Sequence, residues 1–103
     1  MASKIWTLRI MSDEDGRMNR PVADVGGGVL VISQFTLCGD ASKGRRPSFA
    51  EAAPAAIAEP LVERFVEQLR RLGATVATGR FGAHMLVELG NDGPVTMVLD
   101  TAR

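Results

Sequence analysis

The sequence predicts an α+β fold with mixed or antiparallel pairing, or a partial barrel, carried by one main helix. Two observations predict it. A stripe of apolar residues at four-residue spacing (Ile57, Leu61, Phe65, Leu69), widened by Val62 and Val66, marks a single long amphipathic helix. Short apolar runs lie on both sides of it, at 22–25 and 29–32 before and at 75–78, 85–89 and 95–99 after, each with glycine, proline or aspartate at one end or both.

The elements follow in order. In residues 1–11, Ile5, Leu8 and Met11 fit one helical face, over a stretch too short to define a helix by itself. Asp13-Glu14-Asp15-Gly16 reads as a turn. Gly26-Gly27-Gly28, between the runs 22–25 and 29–32, reads as the turn of a β-hairpin. Residues 39–47 form a polar, basic loop. Ser48 and Glu51 have the spacing of a capping box, so a helical turn is expected there before Pro54 interrupts it. The long helix is expected over about 56–72. Arg70 and Arg71 complement the dipole of its last turn, and Gly73 serves as its C-terminal cap. Glu63, Glu67, Arg70 and Arg71 fall on its wet side, and three strands follow.

Composition narrows the function classes. The 103 residues are a single small domain with a thin core, for which a second copy would supply cover. Twelve basic residues balance twelve acidic ones, so contact with nucleic acid must be local rather than a diffuse attraction. No run is long enough to span a membrane, and the N-terminus lacks a signal-peptide pattern. A single cysteine, Cys38, precludes an intramolecular disulfide and suits a reducing compartment; the expectation is cytoplasmic. One histidine and one cysteine do not supply a zinc shell, so no metal and no cofactor is expected.

Ser33-Gln34-Phe35-Thr36, at the exit of the 29–32 run, offers two hydroxyls, an amide and a row of backbone N–H groups suited to a developing oxyanion. Polar residues there are also ordinary turn chemistry. Asn91-Asp92-Gly93-Pro94 reads as a hairpin turn, and its Gly-Pro bond can be cis at modest cost. Lys43, Arg45 and Arg46 are either a phosphate-binding patch or a solvated loop. His84 and Cys38 have no nucleophile-and-base neighbourhood and read as structural. Asp13, Glu14 and Asp15 read as solvated turn carboxylates.

In order along the chain come Gly16-Arg17-Met18-Asn19, Asp24-Val25-Gly26-Gly27, Val29-Leu30-Val31-Ile32-Ser33-Gln34-Phe35-Thr36-Leu37, Lys43-Gly44-Arg45-Arg46-Pro47-Ser48-Phe49, Thr78-Gly79-Arg80-Phe81-Gly82-Ala83 and Asn91-Asp92-Gly93-Pro94-Val95-Thr96. Together they resemble the D-aminoacyl-tRNA deacylases over nearly the whole chain. Members of that family carry a further roughly forty residues at the N-terminus that complete the core, so residues 1–103 are expected to be one N-terminally truncated deacylase-like domain.

The resemblance implies a carboxylic ester hydrolase that frees D-amino acids from tRNA, and glycine mischarged on tRNA-Ala, as chiral proofreading. It implies a homodimer in which Gly93 and Pro94, joined by a cis bond, enter the partner's pocket and exclude an L side chain. It makes Gln34, Phe35 and Thr36 the catalytic residues, with Ser33 beside them. Phe81 and Met85 would cradle the terminal adenosine, and Lys43, Arg45 and Arg46 would contact tRNA. Thr36 has no activating base at a recognisable spacing, so its implied role is positioning, with the 2′-OH of the adenosine assisting. Two other functions compete: a non-catalytic truncated remnant that dimerises or binds RNA, and a small α+β interaction module whose loops are only turns.

Overall fold

The computed structural model describes residues 1–102. It is α+β, with one main helix and two separate two-stranded sheets, one antiparallel and one parallel.

Helix α1 (Ala2–Thr7) ends where Leu8 turns extended, one turn before Met11, so Ile5, Leu8 and Met11 do not share a helical face. Met11 instead starts β1 (Met11–Ser12), which pairs with β2 (Met18–Arg20) in a short hairpin. Two- and three-residue strands carry too little alternation to be read from sequence. The turn between them is the expected one. Asp13 Oδ1 accepts the N–H groups of Asp15 (2.9 Å) and Arg17 (3.0 Å), and Gly16 takes φ +77°, which favours glycine. Glu14 and Arg20 form an ion pair across it.

The expected hairpin through Gly26-Gly27-Gly28 does not form. Pro21 leads into a 3-10 turn over Val22–Asp24, closed by Val25 N–H to the Val22 carbonyl at 3.3 Å. With that segment coiled, β3 (Val29–Val31) pairs in parallel with β4 (Val76–Thr78), in the register Val29 to Val76, Leu30 to Ala77 and Val31 to Thr78. Parallel neighbours need a crossover connection, and here it contains the main helix.

That helix, α2 (Ala55–Arg71), begins after Pro54. The capping-box spacing of Ser48 and Glu51 starts no helix: Ser48 is held in an antiparallel bridge with Asp40, and only an isolated turn follows (Ala52 N–H to the Phe49 carbonyl, 3.0 Å). The C-terminus closes as expected. Gly73 (φ +100°) donates to the Arg70 carbonyl at 3.0 Å and Ala74 to the Leu69 carbonyl at 3.0 Å, the paired bonds of a Schellman motif.

Only the C-terminal half of the predicted stripe is buried. Leu69 is fully enclosed and Val66 nearly so, whereas Ile57 and Leu61 face out. The core gathers Ala2, Leu69 and Ala74, with Trp6, Val29, Val31, Phe65 and Val76 packed around them.

The strands expected at 85–89 and 95–99 are absent among the described residues. A strand needs a ladder partner for its N–H and C=O groups, and no pairing partner lies along these runs; Leu86 is 85% and Val98 82% exposed. The radius of gyration, 15.8 Å, exceeds the roughly 13 Å of a compact domain of this length. The runs 85–89 and 95–99 contribute nothing to the core cluster, which ends in sequence at Val76.

Candidate active site

Because β3 and β4 are parallel, both leave the sheet at the same end, and chain segments beyond the carboxyl ends of parallel strands are where ligand crevices form. Ser33 follows β3, and Gly79-Arg80-Phe81 follows β4, tied back by Gly79 N–H to the Val31 carbonyl at 3.1 Å. Helix α2 lies alongside with Val62 and Val66. The result is a cleft of about 370 Å³ whose functional lining is Ser33, Arg80, Phe81, Glu59, Glu63 and Arg70.

The structure therefore brings Ser33 and Phe81 together, both half-buried. Met85 does not line the cleft but packs on two residues that do: its sulfur accepts the Arg80 N–H at 3.3 Å and sits so close to Gly79 that a Cβ there would stand 2.8 Å from it. Gly79 thus leaves the space that Met85 fills.

Gln34, Phe35 and Thr36 do not line the cleft. They form the exposed 3-10 turn over Phe35–Cys38, with Gln34 extended as its cap. Opening such a turn, the N–H groups of Phe35 and Thr36 have no hydrogen-bond partner among the described residues. The Thr36 hydroxyl accepts from Gln34 Nε2, its one hydrogen bond among the described residues. No His, carboxylate or Lys bonds to it, so geometry supplies no base. The Phe35 ring meets Phe49 edge-to-face, with centroids 5.2 Å apart.

Gly93 and Pro94 are exposed, are joined by a cis peptide bond and do not line the cleft. A Cβ on Gly93 would lie 2.7 Å from the Val95 nitrogen and 3.0 Å from the Asn91 amide, so the loop closes tightly over that glycine. Lys43, Arg45 and Arg46 stand exposed at the tip of a loop closed by Asp40 N–H to the Ser48 carbonyl (2.7 Å) and the reverse bond (2.8 Å). The Asp40 carboxyl is held below its usual range by hydrogen bonds from the Ser42 hydroxyl and N–H. Cys38 and His84 are exposed and join no cluster of metal-ligating groups among the described residues.

Sequence reasoning missed Glu59, Glu63, Arg70 and Arg80 as cleft residues, placing Glu63 and Arg70 on the wet side. The signal was available: Glu59, Glu63, Val66 and Arg70 follow the i, i+4, i+7, i+11 spacing of one helical face, so the acids share an edge with a buried valine. Arg70 is steadied by donating to the Val76 carbonyl at 3.2 Å.

No helix of the described residues is long and apolar enough to cross a membrane. A sequence profile of the family described as D-Tyr-tRNA(Tyr) deacylase matches residues 1–100. A curated relative from Roseiflexus sp. (strain RS-1), named D-aminoacyl-tRNA deacylase, is 60% identical over 102 residues, covering 99% of this chain and 66% of its own. One of the same name from Heliobacterium modesticaldum is 62% identical over 100 residues, covering 97% of this chain and 67% of its own. Among solved structures, the c-Myc DNA Unwinding Element Binding Protein superposes with a TM-score of 0.80 at 40% identity, over 92% of this chain and 65% of that one. The chain thus spans about two thirds of the length of the relatives it matches.

Proposed function

We propose that this chain, which belongs to the D-Tyr-tRNA(Tyr) deacylase family, hydrolyses the ester of D-aminoacyl-tRNA and of glycyl-tRNA mischarged on tRNA-Ala, as a chiral proofreading enzyme of the cytoplasm. The observation that carries the reading is the family match through residues 1–100, which includes every residue of the candidate site. The free N–H groups of Phe35 and Thr36 are donors of the kind that stabilise a developing oxyanion. The reading assigns these roles. Gln34 orients the Thr36 hydroxyl, and the Phe35 and Thr36 amides polarise the ester carbonyl. Ser33, Phe81 and Met85 hold the terminal adenosine. Lys43, Arg45 and Arg46 contact the tRNA phosphates.

In this reading two copies pair, and Gly93 and Pro94 of one reach the pocket of the other, where a backbone wall rejects an L side chain and admits glycine. Exposed Leu61 and Leu86 support pairing, since apolar surface of this kind is ordinarily covered. Residues 1–103 act as one deacylase-like unit. The non-catalytic remnant gains no support from relatives that carry the enzyme's name.

The test is hydrolysis of D-tyrosyl-, L-tyrosyl- and glycyl-tRNA by the purified chain, with its mass followed by light scattering. Release of D-tyrosine and glycine from a dimer, with L-tyrosyl-tRNA left at background, is the expected result. No D-tyrosine release above background would sink the reading.

A further inference from the structure

We propose that Phe35 and Phe49 form a stacking subsite for the unpaired nucleotides just 5′ of the terminal one, with the 43–46 loop taking their phosphates; this rests on reading the chain as acting on the 3′ end of charged tRNA. The two rings lie outside the core. Phe35 is 61% and Phe49 39% exposed, and neither belongs to the cluster around Leu69. They are nevertheless held. The rings meet at an interplanar angle of 70°. Phe49 Cε1 presses on Gly39, where a Cβ would stand 2.9 Å from it. Phe49 also directly follows Ser48, which closes the basic loop against Asp40. A fixed, uncovered aromatic pair thus sits at the neck of a loop whose tip bears Lys43, Arg45 and Arg46.

The charges on this face match the occupant. The loop's own carboxylate, Asp40, is exposed and accepts the Ser42 N–H at 2.9 Å. None of Lys43, Arg45 and Arg46 is in an ion pair among the described residues. An exposed aromatic ring at the base of a loop that carries unpaired guanidinium forks is a combination that holds single-stranded nucleic acid: the base stacks and the phosphate is forked. The placement identifies which nucleotides. In the proposed site the Phe35 N–H, which opens the 3-10 turn with no partner among the described residues, faces the ester, so a base stacked on the ring of the same residue belongs to a neighbour of the reacting nucleotide. This subsite is separate from Phe81, which lies in the cleft.

The experiment measures binding of a labelled, uncharged RNA hairpin with a single-stranded CCA tail, against the same hairpin made blunt. The wild-type chain is expected to prefer the tailed RNA. Phe49→Leu should weaken tailed binding about tenfold, within the range for one stacked base, without moving the melting temperature, and Phe49→Trp should restore it. Equal binding of tailed and blunt RNA by the wild type would overturn the proposal without recourse to any variant. So would a folded Phe49→Leu that binds like the wild type, or a Phe49→Trp as weak as Phe49→Leu, which would mark a merely structural ring. No ester is present in this assay. Tail-dependent binding without hydrolysis of charged tRNA would sink the deacylase reading alone, and hydrolysis without tail preference would sink this proposal alone.

Discussion

Replacing Thr36 with alanine removes one hydroxyl and one hydrogen bond, the one donated by Gln34 Nε2. The site is exposed, so no cavity forms and the fold should be nearly unaffected. If the hydroxyl only positions, the loss is that of one neutral hydrogen bond, about 0.5–1.5 kcal/mol. In a rate that is about two- to thirteen-fold. If Thr36 were the attacking group, the loss would resemble removal of a nucleophile, on the order of a millionfold where measured. The two accounts differ by several powers of ten, so a coarse assay decides. Single-turnover hydrolysis of D-tyrosyl-tRNA should fall no more than about thirteen-fold in Thr36→Ala, with tRNA binding and melting unchanged. A fall beyond about a thousandfold in a folded, tRNA-binding variant would refute positioning. It would require a base that the hydrogen bonds around Thr36 do not show.

Three further outcomes are expected. Leu69→Ala empties the most enclosed side-chain site among the described residues and should cost about 3 kcal/mol in urea unfolding, against within about 0.5 kcal/mol for exposed Leu61→Ala; equal costs would show that α2 is not docked through Leu69. Gly93→Val has no room beside the Val95 nitrogen and should abolish D-tyrosyl-tRNA hydrolysis while the melting temperature, set by a core cluster to which Gly93 does not belong, holds; retained turnover would remove Gly93 from the site. The Asp13 carboxyl is lowered from 3.8, first by the Arg17 N–H and then by the Asp15 N–H, the Asn19 side chain and nearby Arg20. A lowered carboxyl stabilises the turn above its unfolded value and loses that contribution as pH falls through the folded one. Amide exchange at Asp15 and Arg17 should therefore keep its protection through the ordinary aspartate range and lose it only as pH falls below that range in the wild type, with no such step in Asp13→Ala, where a persisting step would assign it elsewhere.

The sequence by itself determined the elements whose cause is local. The long helix was legible because Phe65, Val66 and Leu69 repeat at helical spacing and Gly73 provides the positive φ of its cap. The turn at Asp13 was legible because an aspartate and a glycine make such a turn from their own side chain and φ. The ordered site motifs were legible as a family resemblance, which the match over residues 1–100 bears out at the level of the family.

Tertiary structure alone decided the pairings. Nothing within a few residues of Val29 specifies Val76 as its neighbour; a hairpin through Gly26-Gly27-Gly28 satisfies local rules equally well, and the choice falls to burial of Val29, Val31 and Val76 against Leu69. The runs 85–89 and 95–99 show the same limit from the other side. Their composition suits a strand, but a strand is a relation between two segments, and without a partner ladder their N–H and C=O groups form none. The cleft is also a tertiary product: Ser33 and Phe81 meet, and Glu59, Glu63 and Arg70 join them, only because parallel pairing sends two chain exits to the same end of one sheet beside one helix.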